Sequence, residues 1–221
     1  GFPELTTAQR GMIATAPRIS NPGCYPTGFL ALARPLIESG VLPADCRLNV
    51  PAVSGYSGGG KSMIGAHDAG GLAPQFSYGV NLAHKHLAEM THYAGLQTPP
   101  IFMPSVGDFY AGMLVHLPLH ADQFSTAVNA DQLYQLYADW YAGAALVRMG
   151  AACANDENTP NMLAADALAD TDSMEIFVFS DAQARRFWLV ARLDNLGKGA
   201  SGAAVQNMNI ALGIDEAISL A

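Results

Sequence analysis

The run Met174-Glu175-Ile176-Phe177-Val178-Phe179-Ser180, answered by Phe187-Trp188-Leu189-Val190-Ala191-Arg192-Leu193, decides the fold class. Both runs are rich in β-branched and aromatic residues, which suit a pleated, half-buried surface. The short polar turn Asp181–Arg186 between them predicts a hairpin. Working outward, Gly112–Leu119 reads as a third strand, with Met113, Val115 and Leu117 on one face. Arg47–Val53 reads as a fourth; Pro51 has no N–H for a ladder, which predicts an edge or bulged strand. Helical periodicity fills the spaces between. Pro26–Ser39 carries Phe29, Leu30, Leu32, Leu36 and Ile37 and stops at Gly40, with Pro35 expected to kink it or end it early. Leu82–Tyr93 is a second helix. Ala130–Tyr141 is a third, with the stripe Leu133, Leu136, Tyr137 and Trp140, and a last helix runs from near Ser201 toward Leu212. Asn155–Asp172 is acidic and polar and reads as an exposed excursion. Strands and helices without strict alternation predict an α+β sheet domain.

Composition narrows the function. The 221 residues are 50% hydrophobic and only 14% charged, with a net charge of −8. A disordered chain needs the opposite balance. No apolar run approaches the roughly 20 residues of a membrane-spanning helix. Nor is there the basic cluster of a nucleic-acid binder. So few charges on so much apolar sequence predict burial against a second copy, as a homodimer or homotetramer. Three cysteines, an odd number, predict a reducing, cytoplasmic setting rather than a disulfide framework. The chain begins Gly1-Phe2-Pro3-Glu4, without Met or a signal-peptide pattern, and reads as part of something longer.

The chemistry gathers at Asn21-Pro22-Gly23-Cys24-Tyr25-Pro26-Thr27-Gly28. Two prolines and two glycines around one cysteine make a sharp turn, and Pro26 suits the first helical position. That puts the Cys24 thiol beside free N–H groups at a helix N-terminus, where a thiol pKa is expected to fall. Most free cysteines are small buried hydrophobes. Cys46 and Cys153 fit that description, whereas the setting of Cys24 makes it the candidate nucleophile. Downstream, His84, His86, Glu89 and His92 lie within nine positions. Their spacing matches no metal motif, so no metal is expected, and His92 reads as a solvated surface residue. A thiol nucleophile needs a proton acceptor and donor, and a histidine such as His84 or His86 titrates in the useful range for both. His86 is favoured, because Glu89 three residues on is placed to orient its ring. Lys85, between the histidines, reads as pointing elsewhere, to solvent or to a substrate carboxylate.

Gly55-Tyr56-Ser57-Gly58-Gly59-Gly60-Lys61-Ser62 formally matches the phosphate-binding pattern G-x-x-x-x-G-K-[ST]. A true P-loop opens a long helix, and Gly65, Gly70, Gly71 and Pro74 argue against one here. Successive glycines still expose backbone N–H groups able to hold an anion. A plain surface turn is the simpler alternative.

Taken together, the Cys24 turn, Ser54–Lys61, His84-Lys85-His86, Pro104-Ser105-Val106 and Asp194-Asn195-Leu196-Gly197-Lys198-Gly199 resemble the N-acetyl-γ-glutamyl-phosphate reductase family, in its shorter subgroup. Ala88 and Ala203 depart from the family pattern of Pro and Gln, at positions that carry no reacting group. The resemblance implies a mixed, largely antiparallel sheet like the catalytic domain of glyceraldehyde-3-phosphate-dehydrogenase-like enzymes. It implies a Cys24 thioester with His84 or His86 beside the thiol, Ser57 and Lys61 as acyl-phosphate contacts, and NADP(H) as hydride source, with Asn195, Gly197 and Gly199 near the nicotinamide. No G-x-G-x-x-G strand–turn–helix unit is present, so most of the dinucleotide domain is expected upstream. The implied division is 1–20 as a lead-in from that domain, 21–193 as the catalytic and oligomerisation domain, and 194–221 as the helix returning to it. A fragment of this kind is expected to be inactive in hydride transfer. Reductases of other acyl phosphates, such as aspartyl phosphate or a lysine-pathway analogue, are the near alternatives. A phosphate-binding P-loop module and a non-catalytic assembly domain are the distant ones.

Overall fold

The computed structural model describes residues 1–150 and 162–221. Cys153 and the first part of the acidic excursion lie outside the described residues. Seven strands form one sheet: β1 (Asn49–Gly55), β2 (Gln75–Ser77), β3 (Ile101–Gly107), β4 (Met113–His120), β5 (Val147–Met149), β6 (Met174–Ser180) and β7 (Arg186–Leu193). Their spatial order is β2-β3-β1-β4-β7-β6-β5. Two of the six pairings, β1–β3 and β5–β6, are parallel and the other four antiparallel. The β6–β7 hairpin forms as its sequence predicts, with Ile176 opposite Ala191 and Val178 opposite Leu189. Six α-helices accompany the sheet among the described residues: α1 (Gln9–Thr15), α2 (Cys24–Glu38), α3 (Gly60–Asp68), α4 (Leu87–Ala94), α5 (Ala130–Trp140) and α6 (Gly202–Leu212).

The core lies between one face of the sheet and α2 with α5. Phe29, Leu30, Leu32 and Leu36 of α2 are buried, with Val115 and Leu117 of β4 and Leu189 and Ala191 of β7 in the same cluster. Each of the Phe, Leu and Val side chains contributes about 1.5–3 kcal/mol relative to exposure. Gly28 permits the close approach, since a Cβ there would stand 2.7 Å from Val115. The opposite face is thinly covered. Leu114, Phe177 and Val190 form a small second cluster there, while Met103 and Trp188 remain open.

Several expectations are corrected. β1 is internal, not an edge strand; its ladder to β4 begins only at Ala52, so Pro51 stands where no N–H is required on that side. Pro35 neither ends nor shortens α2, which continues to Glu38. The proline removes the donor that would reach the Ala31 carbonyl, and the Tyr141 hydroxyl donates to that carbonyl instead, at 2.7 Å. The Tyr137 hydroxyl also donates to the neighbouring Leu32 carbonyl. α4 starts five residues late, at Leu87, because Leu82 adopts a left-handed φ of 57°. The last helix is preceded by a π-helical turn, Gly197–Ser201. α1 and α3 were not legible from periodicity.

The two ends of the chain interlock. Lys198 is fully buried, and its Nζ donates to Glu4 Oε1 at 2.8 Å and to Gln206 Oε1 at 2.7 Å. Gln206 Nε2 bridges Glu4 and Glu216. A buried cation is tolerated only with such partners.

Candidate active site

Cys24 is the first residue of α2, two positions earlier than Pro26 predicts. Gly23 is the N-cap, and its N–H donates to the Glu89 carboxylate at 3.3 Å and 3.4 Å. The N-terminus of α2 is thus capped by a residue 66 positions away, on α4. The same carboxylate lies 3.8 Å from His86 Nε2. His86 packs so tightly on Gly23 that a Cβ there would stand 2.4 Å from Nε2. Gly199 closes the other side: a Cβ on it would stand 2.8 Å from that of Cys24.

A cavity of about 260 Å³ opens at this point, lined by Cys24, Tyr25, Tyr78, His84, Lys85 and His86, with Gly58, Gly59 and Met63 of the glycine segment. The structure therefore brings Cys24 and both candidate histidines together. Lys85 also lines the cavity rather than facing open solvent alone. Tyr25, Tyr78 and Met63 are wall residues that sequence reasoning missed. Only Tyr25, inside the Cys24 turn, carried a signal that would have found it.

The electrostatics differ from the simplest expectation. Burial pushes the Cys24 thiol up; the N–H groups of Tyr25 and Cys24 and the charge of Lys85 pull it down without winning. A helix terminus offers at most about 2 kcal/mol, whereas burial shifts a titration by up to 3–5 pKa units, about 4–7 kcal/mol. Burial, then His84 and Lys85, lower His86 to about 4. Burial and Lys85 also lower His84. Both imidazoles are neutral at pH 7. His84 Nδ1 accepts from the His86 backbone N–H at 3.2 Å, which leaves the His84 ring proton on Nε2.

The remaining predicted residues do not line the cavity. Ser57 is buried, and its hydroxyl accepts from Asn195 Nδ2 at 2.9 Å. Asn195 Oδ1 accepts from Gly112 N–H at 2.8 Å, so this amide joins the glycine segment to the start of β4. Lys61 is exposed on α3 and does not line the cavity. The helix that follows the glycine segment is short, nine residues, and buries none of them. Gly197 lies beneath the Thr171 carbonyl, 2.0 Å from where its Cβ would be. Asn195 is thus engaged at both ends of its amide, and Gly199 packs against Cys24. His92 is exposed, as expected. Among the described residues no group of three His, Cys, Asp or Glu is placed to hold a metal ion. No described helix is long and apolar enough to cross a membrane.

The family model for the semialdehyde dehydrogenase dimerisation domain matches residues 24–195. An N-acetyl-gamma-glutamyl-phosphate reductase of Trichormus variabilis is 46% identical over the whole chain, which spans 71% of that protein. One from Brucella anthropi is 46% identical over 96% of the chain and 70% of its own length. Among solved structures, aspartate semialdehyde dehydrogenase II of Vibrio cholerae superposes with a TM-score of 0.66 at 17% identity, covering 96% of this chain and 68% of that one. That likeness shows the fold alone. The chain accordingly belongs to the N-acetyl-gamma-glutamyl-phosphate reductases, a reductase family built on the semialdehyde dehydrogenase fold.

Proposed function

We propose that this chain carries the acylation half of the reduction of N-acetylglutamyl 5-phosphate to its semialdehyde, a step of arginine biosynthesis. The observation that carries the reading is the single cavity shared by Cys24, His84, Lys85 and His86. The Cys24 sulfur attacks the acyl carbon, the carbon–oxygen bond to phosphate breaks, and phosphate leaves with the electron pair, giving a thioester. Neutral His86 accepts the thiol proton. Its affinity for that proton rises when a phosphate dianion enters the cavity, because a nearby negative charge favours the cationic ring. His84 presents Nε2–H to the acyl oxygen, a role its locked tautomer suits. Lys85 offsets the negative charge of the substrate. NADP(H), once bound, would supply the hydride, with Asn195 and Gly199, which packs against Cys24, as the residues of this chain proposed to lie near its nicotinamide.

The open sheet face around Met103 and Trp188 suits a second copy. We read the enzyme as a homo-oligomer joined there, in keeping with the dimerisation domain of the matching family model. The test of the substrate is the reverse reaction in the full enzyme. Phosphate-dependent NADPH formation is expected from N-acetylglutamate semialdehyde and not from aspartate semialdehyde. The opposite preference would transfer the reading to an aspartyl-phosphate reductase.

A further inference from the structure

One helix beside the cavity is held in an unusual way. α3 buries none of its nine residues, and it packs chiefly on the 3₁₀ turn Tyr56–Gly59 that precedes it. Left-handed glycines flank it, Gly60 at φ 67° and Gly70 at φ 68°. An element with so few apolar contacts belongs to the low-stability end of a fold. Yet α3 is not free. His67, in its last turn, places Nε2 2.7 Å from Asp108 Oδ1. The His67 ring lies parallel to the Tyr56 ring, with centroids 3.7 Å apart. Tyr56 is fixed in turn, its N–H donating to the Phe109 carbonyl at 2.9 Å and its ring meeting Tyr110 edge-on. The cluster thus joins α3, the end of β1 and the β3–β4 loop.

Met63 stands four residues before His67, on the same side of α3. It folds back on Gly59 and lines the Cys24 cavity. Lys61 precedes it by two positions, exposed at the start of the helix. Where α3 sits therefore decides the shape of one cavity wall and carries Lys61 with it.

We propose that the Tyr56–His67–Asp108 cluster is a latch that positions α3 against the cavity, making His67 a positioning residue for binding of the anionic substrate. The inference rests on the reading that the cavity takes an acyl phosphate. Asp108 and Asp68 also raise the His67 pKa, which favours the charged, more tightly paired form.

The test compares the full enzyme with His67→Ala and His67→Gln variants in the phosphate-dependent direction, together with hydrogen exchange of residues 60–68. Ala is expected to raise the KM for phosphate about tenfold, with kcat within about twofold, and to speed exchange throughout α3. Gln keeps a donor toward Asp108 and is expected to restore most of both. Unchanged α3 exchange in His67→Ala, a loss confined to kcat, or no rescue by Gln would overturn the latch. If the unmodified enzyme shows no phosphate-dependent turnover, the substrate reading fails, and the exchange comparison alone decides the latch.

Discussion

The mouth of α2 and the helix α3 border the same cavity, but only the first is fixed from several sides. Cys24 is held by the Glu89 cap on Gly23, by the His86 ring packed on Gly23, and by Gly199. Behind Gly199, Lys198 is pinned in a buried polar network. α3 has one cluster and no buried side chain. The contrast teaches a division of labour. Reacting groups need placement to within a fraction of an ångström. A wall that admits and releases a substrate works better from the weakly held end of the fold.

Adding one methyl group to each wall would break or sharpen the comparison most strongly. Gly23→Ala puts a Cβ 2.4 Å from His86 Nε2, so the ring must leave its place beside Cys24. A displacement of about 1 Å can cost roughly a hundredfold, and a fall in kcat of that order is expected while the circular dichroism stays native. Full activity in this variant would show that His86 is not positioned by Gly23.

The second contrast is in titration. Ring NMR signals of the two histidines are expected to move on opposite sides of the ordinary value near 6.5. His86 is lowered to about 4 by burial and by His84 and Lys85. His67 is raised, first by its bond to Asp108. At pH 5.5, then, His67 is charged while His86 is still neutral, and His86 protonates only as the pH falls toward 4. Coincident titrations would erase the electrostatic difference between the walls.

The smallest effect belongs to α3. A Cβ at Gly65 meets nothing within 4 Å. Gly65→Ala is therefore expected to strengthen the helix by about 0.5–1 kcal/mol, slowing its hydrogen exchange while kcat stays within about twofold. A large loss of kcat would mean that α3 is as tightly tuned as the mouth of α2.

The same contrast explains what the sequence made legible. The β6–β7 hairpin, α5 and the apolar face of β4 carry their own periodicity, and burial follows it. The Cys24 turn declared itself through its prolines and glycines. α3 had no apolar stripe to find, because side-chain pairing rather than burial holds it. The passage of Pro35 through α2 depends on Tyr137 and Tyr141, more than a hundred residues away. The Glu4–Lys198 pair spans 194 positions, beyond any local pattern. The raised Cys24 thiol was misjudged for a related reason. A helix terminus can be read from a motif, but depth of burial emerges only when the layers assemble.

The central claim is that Cys24 takes the acyl group from an acyl phosphate. The most direct measurement adds N-acetylglutamyl 5-phosphate, generated in situ, to the enzyme without dinucleotide, and follows phosphate release and peptide mass together. The account expects one phosphate per active site and a single acyl adduct on the peptide containing Cys24, both abolished in Cys24→Ser. An adduct on another residue, or phosphate release that persists in Cys24→Ser, would contradict it.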